Sequence, residues 1–194
     1  MIQKFKFNFL LPILTVIILF ASCKSNNDKH LEAKIKSLSD NIGDNFKINN
    51  VLDSSGKEVQ LDFSKSDVTI IDFWFDDCPP CINEMSQFSN LLAGKEGKIS
   101  VISISINPFW VWKPYLLNPN GRLSFLNNNT SNWTQYVLYT PTDEKLKNTI
   151  SVDRQKQLRE NFNVRFFPAY FVVDKKGIIK ERPESAVEFI KKYN

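Results

Sequence analysis

The sequence predicts an α/β fold with a central mixed β-sheet that is flanked by helices. Residues 68–75 are a run of β-branched and aromatic residues, which is typical of a strand covered on both faces. Residues 82–92 then carry apolar side chains three and four positions apart, the spacing of an amphipathic helix. A second strand at residues 99–106 completes a βαβ unit with parallel strands. A turn at residues 174–177 separates two further strand-like segments and predicts an antiparallel pair.

The N-terminus has the pattern of a secretory signal at residues 1–22. Lys4 and Lys6 precede an apolar stretch that is shorter than the roughly 20 residues of a membrane-spanning helix. Residues 19–23 (Leu-Phe-Ala-Ser-Cys) resemble a bacterial lipobox, which implies cleavage before Cys23 and lipidation of that cysteine. The alternative is an ordinary signal peptide in which Cys23 has no special role.

Residues 23–41 are predicted to be a tether that can include a short helix, because Leu31, Ile35 and Leu38 are spaced by three or four. The sole histidine, His30, lies in this tether. Its position excludes a Cys-His nucleophilic pair and makes a histidine-rich metal site implausible. The main domain is predicted at residues 42–194.

The net charge and the cysteine content limit the possible partners and chemistry of the protein. The formal net charge is +4, from 25 basic and 21 acidic residues, and two of the lysines lie in the signal. So small an excess argues against a nucleic-acid partner, which would need a basic stripe. Of the three cysteines, one is assigned to the lipid and two to a dithiol. Export implies a compartment in which disulfides form.

The main domain is predicted to open with a β-hairpin. Residues 46–52 and 58–63 are strand-like and flank a turn-forming Asp-Ser-Ser-Gly sequence at residues 53–56.

Two cysteines, Cys78 and Cys81, lie where the first central strand turns into its helix, separated by Pro79 and Pro80. The unpaired amide donors and the positive end of a helix N-terminus stabilise a thiolate, so Cys78 is the predicted nucleophile. Two intervening residues place Cys81 within one helical turn, close enough for a reversible disulfide. The alternatives are a static disulfide or half of a zinc site, for which no further cysteine remains once Cys23 is lipidated.

The middle of the chain, residues 107–150, is predicted to be an aromatic-rich insert. Within it, residues 109–117 and 123–126 suit short helices, and residues 134–139 suit a strand.

The C-terminal part alternates again between helix and strand. Residues 151–162 are predicted to be helical, residues 164–173 form a strand that contains Pro168, and Pro183 precedes a last helix.

Two separated motifs resemble the thioredoxin family. Residues 72–74 (Asp-Phe-Trp), with three residues before Cys78-Pro79-Pro80-Cys81, are similar to its active-site strand and loop. Residues 166–177 are similar to its second signature, a cis-proline strand followed by a hairpin. With the N-terminal hairpin, they give the main domain a resemblance to TlpA/ResA-type, redoxin-like, membrane-anchored thiol-disulfide oxidoreductases. The resemblance implies a thioredoxin-like fold.

The same resemblance implies roles for particular residues. Asp72 would be buried and would take the proton from Cys81; the alternative is a strand-end carboxylate that faces water. Pro168 would follow a cis peptide bond and present the backbone of Phe167 to a substrate; the alternative is a trans proline. Trp74 is assigned first to packing and second to the rim of the substrate site.

Pro79 and Pro80 are also assigned to that substrate site. No metal or organic cofactor is implied beyond the redox-active Cys78–Cys81 disulfide. The expected partners are exported proteins that carry disulfides, a membrane thiol reductant as electron donor, and a bacterial membrane reached through the lipid anchor. The domain would then face the periplasm.

Some features depart from the family pattern. Asp77 stands where thioredoxins commonly have tryptophan, and with Asp76 it is expected to raise the pKa of Cys78. The glutamate that TlpA/ResA-type proteins carry after the second central strand has no equivalent near Asn107. Acid-base work is therefore assigned to Asp72 alone.

Three other functions remain open from the sequence. A disulfide oxidant or isomerase would differ in redox potential. A binding module would use the aromatic insert and leave the dithiol vestigial. A peroxidase is disfavoured, because the redoxin T-x-x-C motif is replaced by Asp-Asp-Cys-Pro-Pro-Cys at residues 76–81.

Overall fold

The structure, a computed structural model, describes residues 26–128, 130–140 and 152–193. The chain forms two compact units, Met1–Ile35 and Lys36–Asn194. The predicted signal at residues 1–22 and the lipidation site Cys23 lie outside the described residues. Among the described helices, none is long and apolar enough to cross a membrane.

The elements follow the predicted alternation of strand and helix. The strands are β1 (Val51–Leu52), β2 (Val68–Trp74), β3 (Ile99–Ser105), β4 (Trp133–Leu138), β5 (Ala169–Asp174) and β6 (Ile179–Glu181). The helices are α1 (Asn26–Ser39), α2 (Pro79–Leu92), α3 (Phe109–Leu117), a 3₁₀ helix (Gly121–Asn128), α4 (Val152–Phe162) and α5 (Ala186–Lys192).

The strands form one mixed sheet in the order β1-β4-β3-β2-β5-β6. The three central strands β4, β3 and β2 are parallel, whereas β1, β5 and β6 are antiparallel to their neighbours. This arrangement confirms the predicted mixed sheet with a parallel centre. Since parallel strands end at the same edge, the segments that follow β2, β3 and β4 all leave from one edge of the sheet.

Helices cover both faces of this sheet. On one face, α2, α3, the 3₁₀ helix and α5 bury a cluster that includes Met85, Phe88 and Trp112. On the other face, α4 and the segment before β1 bury a second cluster, in which Phe46 stacks on Phe162 at 4.7 Å between ring centroids. Asp72 lies on β2 between Ile70 and Trp74, which belong to the first cluster, so it shares their face.

The N-terminal hairpin is shorter than predicted. The chain reverses at Gly56, whose amide donates to the Asp53 carbonyl at 3.0 Å and whose φ of +86° suits glycine. The Val59 amide then donates to the Val51 carbonyl at 2.9 Å, but no second strand follows. Two structural features oppose a longer hairpin. Strand β1 pairs with β4, and Asp62 closes a new turn by accepting from the Ser64 amide at 2.9 Å.

The described part of residues 107–150, the predicted aromatic-rich insert, contributes a strand to the sheet. Strand β4 lies in this segment and pairs in parallel with β3, so it is an integral strand of the sheet. Helix α3 and the 3₁₀ helix then form the crossover of a second βαβ unit. The sequence predicted a strand at residues 134–139, which agrees with β4 to within one residue at each end, but no nearby residue indicated that this strand pairs with β3.

Candidate active site

Cys78 and Cys81 form a disulfide at the N-terminus of α2, with their Cα atoms 5.3 Å apart. Cys78 is the N-cap residue, and Pro79 and Pro80 occupy the first two helical positions. Since proline has no amide hydrogen, the first amide donor of the helix is that of Cys81, which donates to Cys78 Sγ at 3.3 Å. In the reduced protein the same donor and the helix dipole would favour a Cys78 thiolate.

The two sulfur-bearing residues differ little in exposure. Cys81 is 0% exposed and Cys78 is 3% exposed, whereas Pro79 and Pro80 are exposed. A partner that approaches the disulfide therefore meets the two prolines first, and Cys78 is the cysteine with measurable exposure.

Asp72 is completely buried in the middle of β2 and accepts a hydrogen bond from Ser103 Oγ at 2.8 Å. Ser103 lies directly opposite it on β3. Burial raises the pKa of Asp72 to about 7; the bond from Ser103 lowers it, and the charge of Glu84 raises it further. A carboxyl group with such a pKa can both accept and release a proton at neutral pH.

The Ser103 hydroxyl has a second partner that sequence reasoning missed. Trp133 Nε1 on β4 donates to Ser103 Oγ at 2.9 Å. The sequence signals were a serine within an apolar strand and a tryptophan at the start of the next strand. Neither signal is specific until the strand register places Ser103 beside Asp72.

The Phe167–Pro168 peptide bond is cis, as predicted. Strand β5 begins at Ala169, which lies opposite Phe73, so Pro168 flanks the end of β2 from which the chain leads to Cys78. Phe167 is half-buried and packs edge-on against Phe75, with ring centroids 5.5 Å apart.

The family follows from a comparison of the whole sequence. The redoxin family model matches residues 35–188. The chain belongs to the redoxin family.

Solved structures agree with this assignment at the level of the fold. The thioredoxin domain of a thiol-disulfide oxidoreductase from Bacteroides vulgatus has a TM-score of 0.51 and 20% identity, covering 79% of this chain and 98% of that one. A thiol:disulfide interchange protein from Bacteroides sp. has a TM-score of 0.55 and 21% identity, covering 80% of this chain and 88% of that one. Among curated proteins, none matches the sequence significantly. The redoxin therefore has a thioredoxin-like fold.

Trp74 does not form part of the substrate rim of this redoxin. Its side chain is 0% exposed and belongs to the cluster beneath α2. The assignment to the rim is wrong, because helices cover both faces of the sheet at β2 and the Trp74 side chain lies beneath one of them. The assignment to packing is confirmed.

The acidic residue Asp76 joins the active-site loop to the segment after β3. Its carboxylate accepts hydrogen bonds from Asn107 Nδ2 at 2.6 Å and from Tyr115 Oη at 2.7 Å. Its amide donates to Asn107 Oδ1 at 3.0 Å, and Ser105 Oγ donates to the same oxygen at 2.9 Å. The position that lacks the family glutamate thus carries an amide that anchors the loop.

The second acidic residue, Asp77, faces solvent. Its carboxylate lies 3.8 Å from Arg122 of the 3₁₀ helix, and both side chains are more than half exposed. Both acids before Cys78 therefore have partners in the segment after β3. Asp76 is held by hydrogen bonds, whereas Asp77 has an exposed ion pair.

A cavity of about 560 Å³ opens where β4 and β3 end, beside the start of α3. Leu52 and Phe109 in its wall also pack against the cluster that contains Cys78 and Cys81. The cavity lies at the same edge of the sheet as the dithiol. Its wall residue Trp110 is 45% exposed. The lining residues are Asn50, Leu52, Gly56, Glu58, Phe109, Trp110 and Tyr139.

Metal binding has no support in the part of the redoxin that the structure describes. No group of three or more histidine, cysteine, aspartate or glutamate side chains is arranged there to hold an ion. The redox group that is present is the Cys78–Cys81 disulfide.

Proposed function

We propose that this redoxin is a thiol-disulfide oxidoreductase that reduces disulfides in exported proteins. The observation that carries the proposal is the Cys78–Cys81 disulfide at a helix N-terminus, with the cis proline Pro168 directly before the strand that neighbours β2. A disulfide that closes so short a loop stabilises a fold little, so a redox role explains it better than a structural one.

The reaction is two thiol-disulfide exchanges. The Cys78 thiolate attacks one sulfur of a substrate disulfide, forms a mixed disulfide, and releases the first substrate thiolate. Cys81, after losing its proton, attacks Cys78 Sγ and releases the second substrate thiolate. The substrate gains two electrons and two protons, and the redoxin is left with the Cys78–Cys81 disulfide.

Asp72 is assigned the proton of Cys81. It is the buried carboxyl group on the face that α2 covers, and its pKa of about 7 allows it to be ionised in part of the population at neutral pH. The proton then passes to the departing substrate thiolate. Phe167 and Pro168, with the exposed Pro79 and Pro80, are assigned to the substrate contact around Cys78.

The cellular setting is proposed from the N-terminal sequence. Cleavage before Cys23 and its lipidation would anchor the protein to a bacterial membrane, with the domain facing the periplasm. Exported proteins have no access to the cytosolic thiol pool, so a membrane thiol reductant must re-reduce the Cys78–Cys81 disulfide.

The reduction potential of the Cys78–Cys81 pair tests the direction of electron flow. The full-length chain with Cys23→Ser is equilibrated in thiol buffers, and free thiols are counted by mass. A value near the roughly −270 mV of thioredoxin supports a reductase, and a value near about −120 mV identifies an oxidant instead.

Trapping identifies the nucleophile. In the Cys23→Ser background, Cys81→Ser should accumulate a mixed disulfide through Cys78 with a disulfide-bonded peptide. Cys78→Ser should accumulate none and should have no reductase activity. Equal trapping by both variants contradicts the assigned order of attack.

One observation favours a second candidate function, a polypeptide-binding module. The cavity beside α3 has aromatic walls from Phe109, Trp110 and Tyr139, and its volume is in the range of ligand sites. If binding is the function, Cys78→Ser keeps the biological effect and Trp110→Ala loses it. The reductase proposal requires the reverse for Cys78→Ser.

A further inference from the structure

Three buried side chains form a hydrogen-bond chain with a fixed direction. Trp133 Nε1 donates to Ser103 Oγ at 2.9 Å, and Ser103 Oγ donates to Asp72 Oδ2 at 2.8 Å. An indole nitrogen can only donate, and a serine hydroxyl has a single hydrogen. Ser103 therefore accepts from Trp133, and its hydrogen is directed to the carboxylate.

The chain crosses the three parallel strands of the sheet and is sealed from water. Trp133 is on β4 and 3% exposed, Ser103 is on β3 and 0% exposed, and Asp72 is on β2 and 0% exposed. A hydrogen bond in such surroundings is stronger than one in water, and neighbouring bonds polarise each other. Water cannot replace either donor without entering the core.

The two oxygens of Asp72 differ as a result. Oδ2 is held by Ser103, whereas Oδ1 is buried and has no hydrogen-bond partner among the described residues. An unpartnered buried oxygen is costly, which fits a group that uses it to bind a proton. The donor on Oδ2 stabilises the ionised form, and the free Oδ1 is the atom that can receive the hydrogen.

We propose that Trp133 and Ser103 are positioning residues that hold one oxygen of Asp72 so that the other accepts the proton of Cys81. The inference rests on the proposed function, in which Asp72 is the proton acceptor. It also gives the segment after β3 a part in the chemistry, because Trp133 comes from that segment. Residues on β3 and β4, and not only those on its own strand β2, then fix the hydrogen bonding of Asp72.

Packing alone is the competing explanation. Trp133 also contacts Phe88 edge-on at 5.4 Å and stacks on Phe125 at 6.3 Å between ring centroids. A large truncation would therefore disturb the core whatever the role of the indole nitrogen. The test needs changes that remove a hydrogen-bond donor and keep most of the volume.

The experiment compares four variants in the full-length Cys23→Ser chain: Ser103→Ala, Ser103→Thr, Trp133→Phe and Ser100→Ala. Ser100 is the matched control, because it also lies on β3 and shares a hydrogen bond of 2.8 Å with Thr69 directly opposite on β2. The carboxyl carbon of Asp72 is titrated by ¹³C NMR and assigned with Asp72→Asn. The pH dependence of single-turnover disulfide reduction is measured in parallel.

Ser103→Ala should move the Asp72 midpoint upward by at least about half a pH unit, because the ionised form loses its donor. Trp133→Phe should move it upward by less, since Ser103 keeps its hydroxyl but loses the donor that directs and polarises it. Ser103→Thr should restore the original midpoint, and Ser100→Ala should leave it unchanged. The pH profile of reduction should move with the carboxyl midpoint in each variant.

An unchanged midpoint in both Ser103→Ala and Trp133→Phe overturns the inference, and so does a shift that Ser100→Ala reproduces. A carboxyl midpoint that moves without the pH profile of reduction also overturns it, because Asp72 would then not be the proton acceptor. Failure of the proposed function gives a different result, namely reduction that persists in Cys78→Ser. The two failures are therefore distinguishable.

Discussion

Tyr115 Oη donates a hydrogen bond to Asp76 Oδ2 at 2.7 Å, which ties the loop before Cys78 to helix α3. The bond is partly buried, and burial together with Asp76 raises the pKa of Tyr115 to about 12. The phenol thus remains a donor at any physiological pH. The aromatic segment after β3 fixes the active-site loop through this polar contact as well as through packing.

Tyr115→Phe should lower the free energy of unfolding by about 1 kcal/mol, because Asp76 loses one of two donors. It should also speed hydrogen exchange at the Asp76 amide, since the loop is held less firmly. Tyr139→Phe is the control, because its hydroxyl takes no part in this network. Equal effects from both changes would mean that the Tyr115 bond does not order the loop.

Asp77 and Arg122 should contribute little to stability. They lie 3.8 Å apart, and both side chains are more than half exposed. Exposed pairs of this kind are worth about 0–1 kcal/mol. Arg122→Gln should change the free energy of unfolding by less than about 0.5 kcal/mol in chemical denaturation. A loss of about 2 kcal/mol or more would show that the pair is held far more firmly than its exposure indicates.

Asp72→Asn should stabilise the protein at neutral and alkaline pH. Burial raises the pKa of Asp72 from 3.8 to about 7, so the folded state binds this proton more tightly than the unfolded state. Native stability therefore falls as pH rises from about 4 to about 7, and stays low above that range. Three pH units correspond to about 4 kcal/mol as an upper value.

Denaturant unfolding at a series of pH values measures this effect. The gain in the free energy of unfolding from Asp72→Asn should be close to zero at about pH 3 and largest above about pH 8. Above that pH the folded wild-type protein carries a buried charge that the variant lacks. A stability difference that is constant across pH would show that Asp72 does not titrate with a raised pKa.

Pro80→Ala should lower the pKa of the Cys78 thiol. Proline at this second helical position removes an amide that could donate to the N-cap sulfur, and alanine restores it. A hydrogen bond to a charged group is worth about 1.5 kcal/mol, or about 1 pH unit. The reduced form is then favoured, so the reduction potential should rise by about 30 mV.

Pro79→Ala is the control for this prediction, because the first helical amide does not bond to the cap side chain. Thiol alkylation against pH gives the Cys78 pKa, and thiol-buffer equilibration gives the potential. A fall in potential for Pro80→Ala would contradict the expected thiolate stabilisation.

Cys23→Ser should release the protein from membranes in a bacterium that lipidates it. The wild-type chain should partition into the detergent phase in a two-phase extraction, and the variant should partition into the aqueous phase. Metabolic labelling with a fatty acid provides the second readout, with Cys78→Ser as the control that keeps its label. Wild-type protein without label would contradict the lipobox assignment.

Local patterns predicted the centre of this fold well. The apolar run of β2, the stripe on α2 and the turn after β5 depend on neighbouring residues, and all three lie where their patterns indicated. The Cys78–Cys81 motif is also local, whereas the cis Phe167–Pro168 bond was predicted from the resemblance of residues 166–177 to the second thioredoxin signature. A strand was predicted at residues 134–139, but its pairing with β3 was not, because no nearby residue signals that pairing.

The sequence by itself determined the dithiol and its place at a helix N-terminus, because these depend on residues close together along the backbone, and a match along residues 35–188 determined the redoxin family. Only the tertiary structure decided what surrounds Asp72 and Asp76. Ser103, Trp133, Asn107 and Tyr115 lie 31 to 61 positions away from the aspartates they serve, and strand register brings them within hydrogen-bond distance. Whether a buried carboxyl keeps or loses its proton depends on those distant donors, so its chemistry is a property of the folded chain.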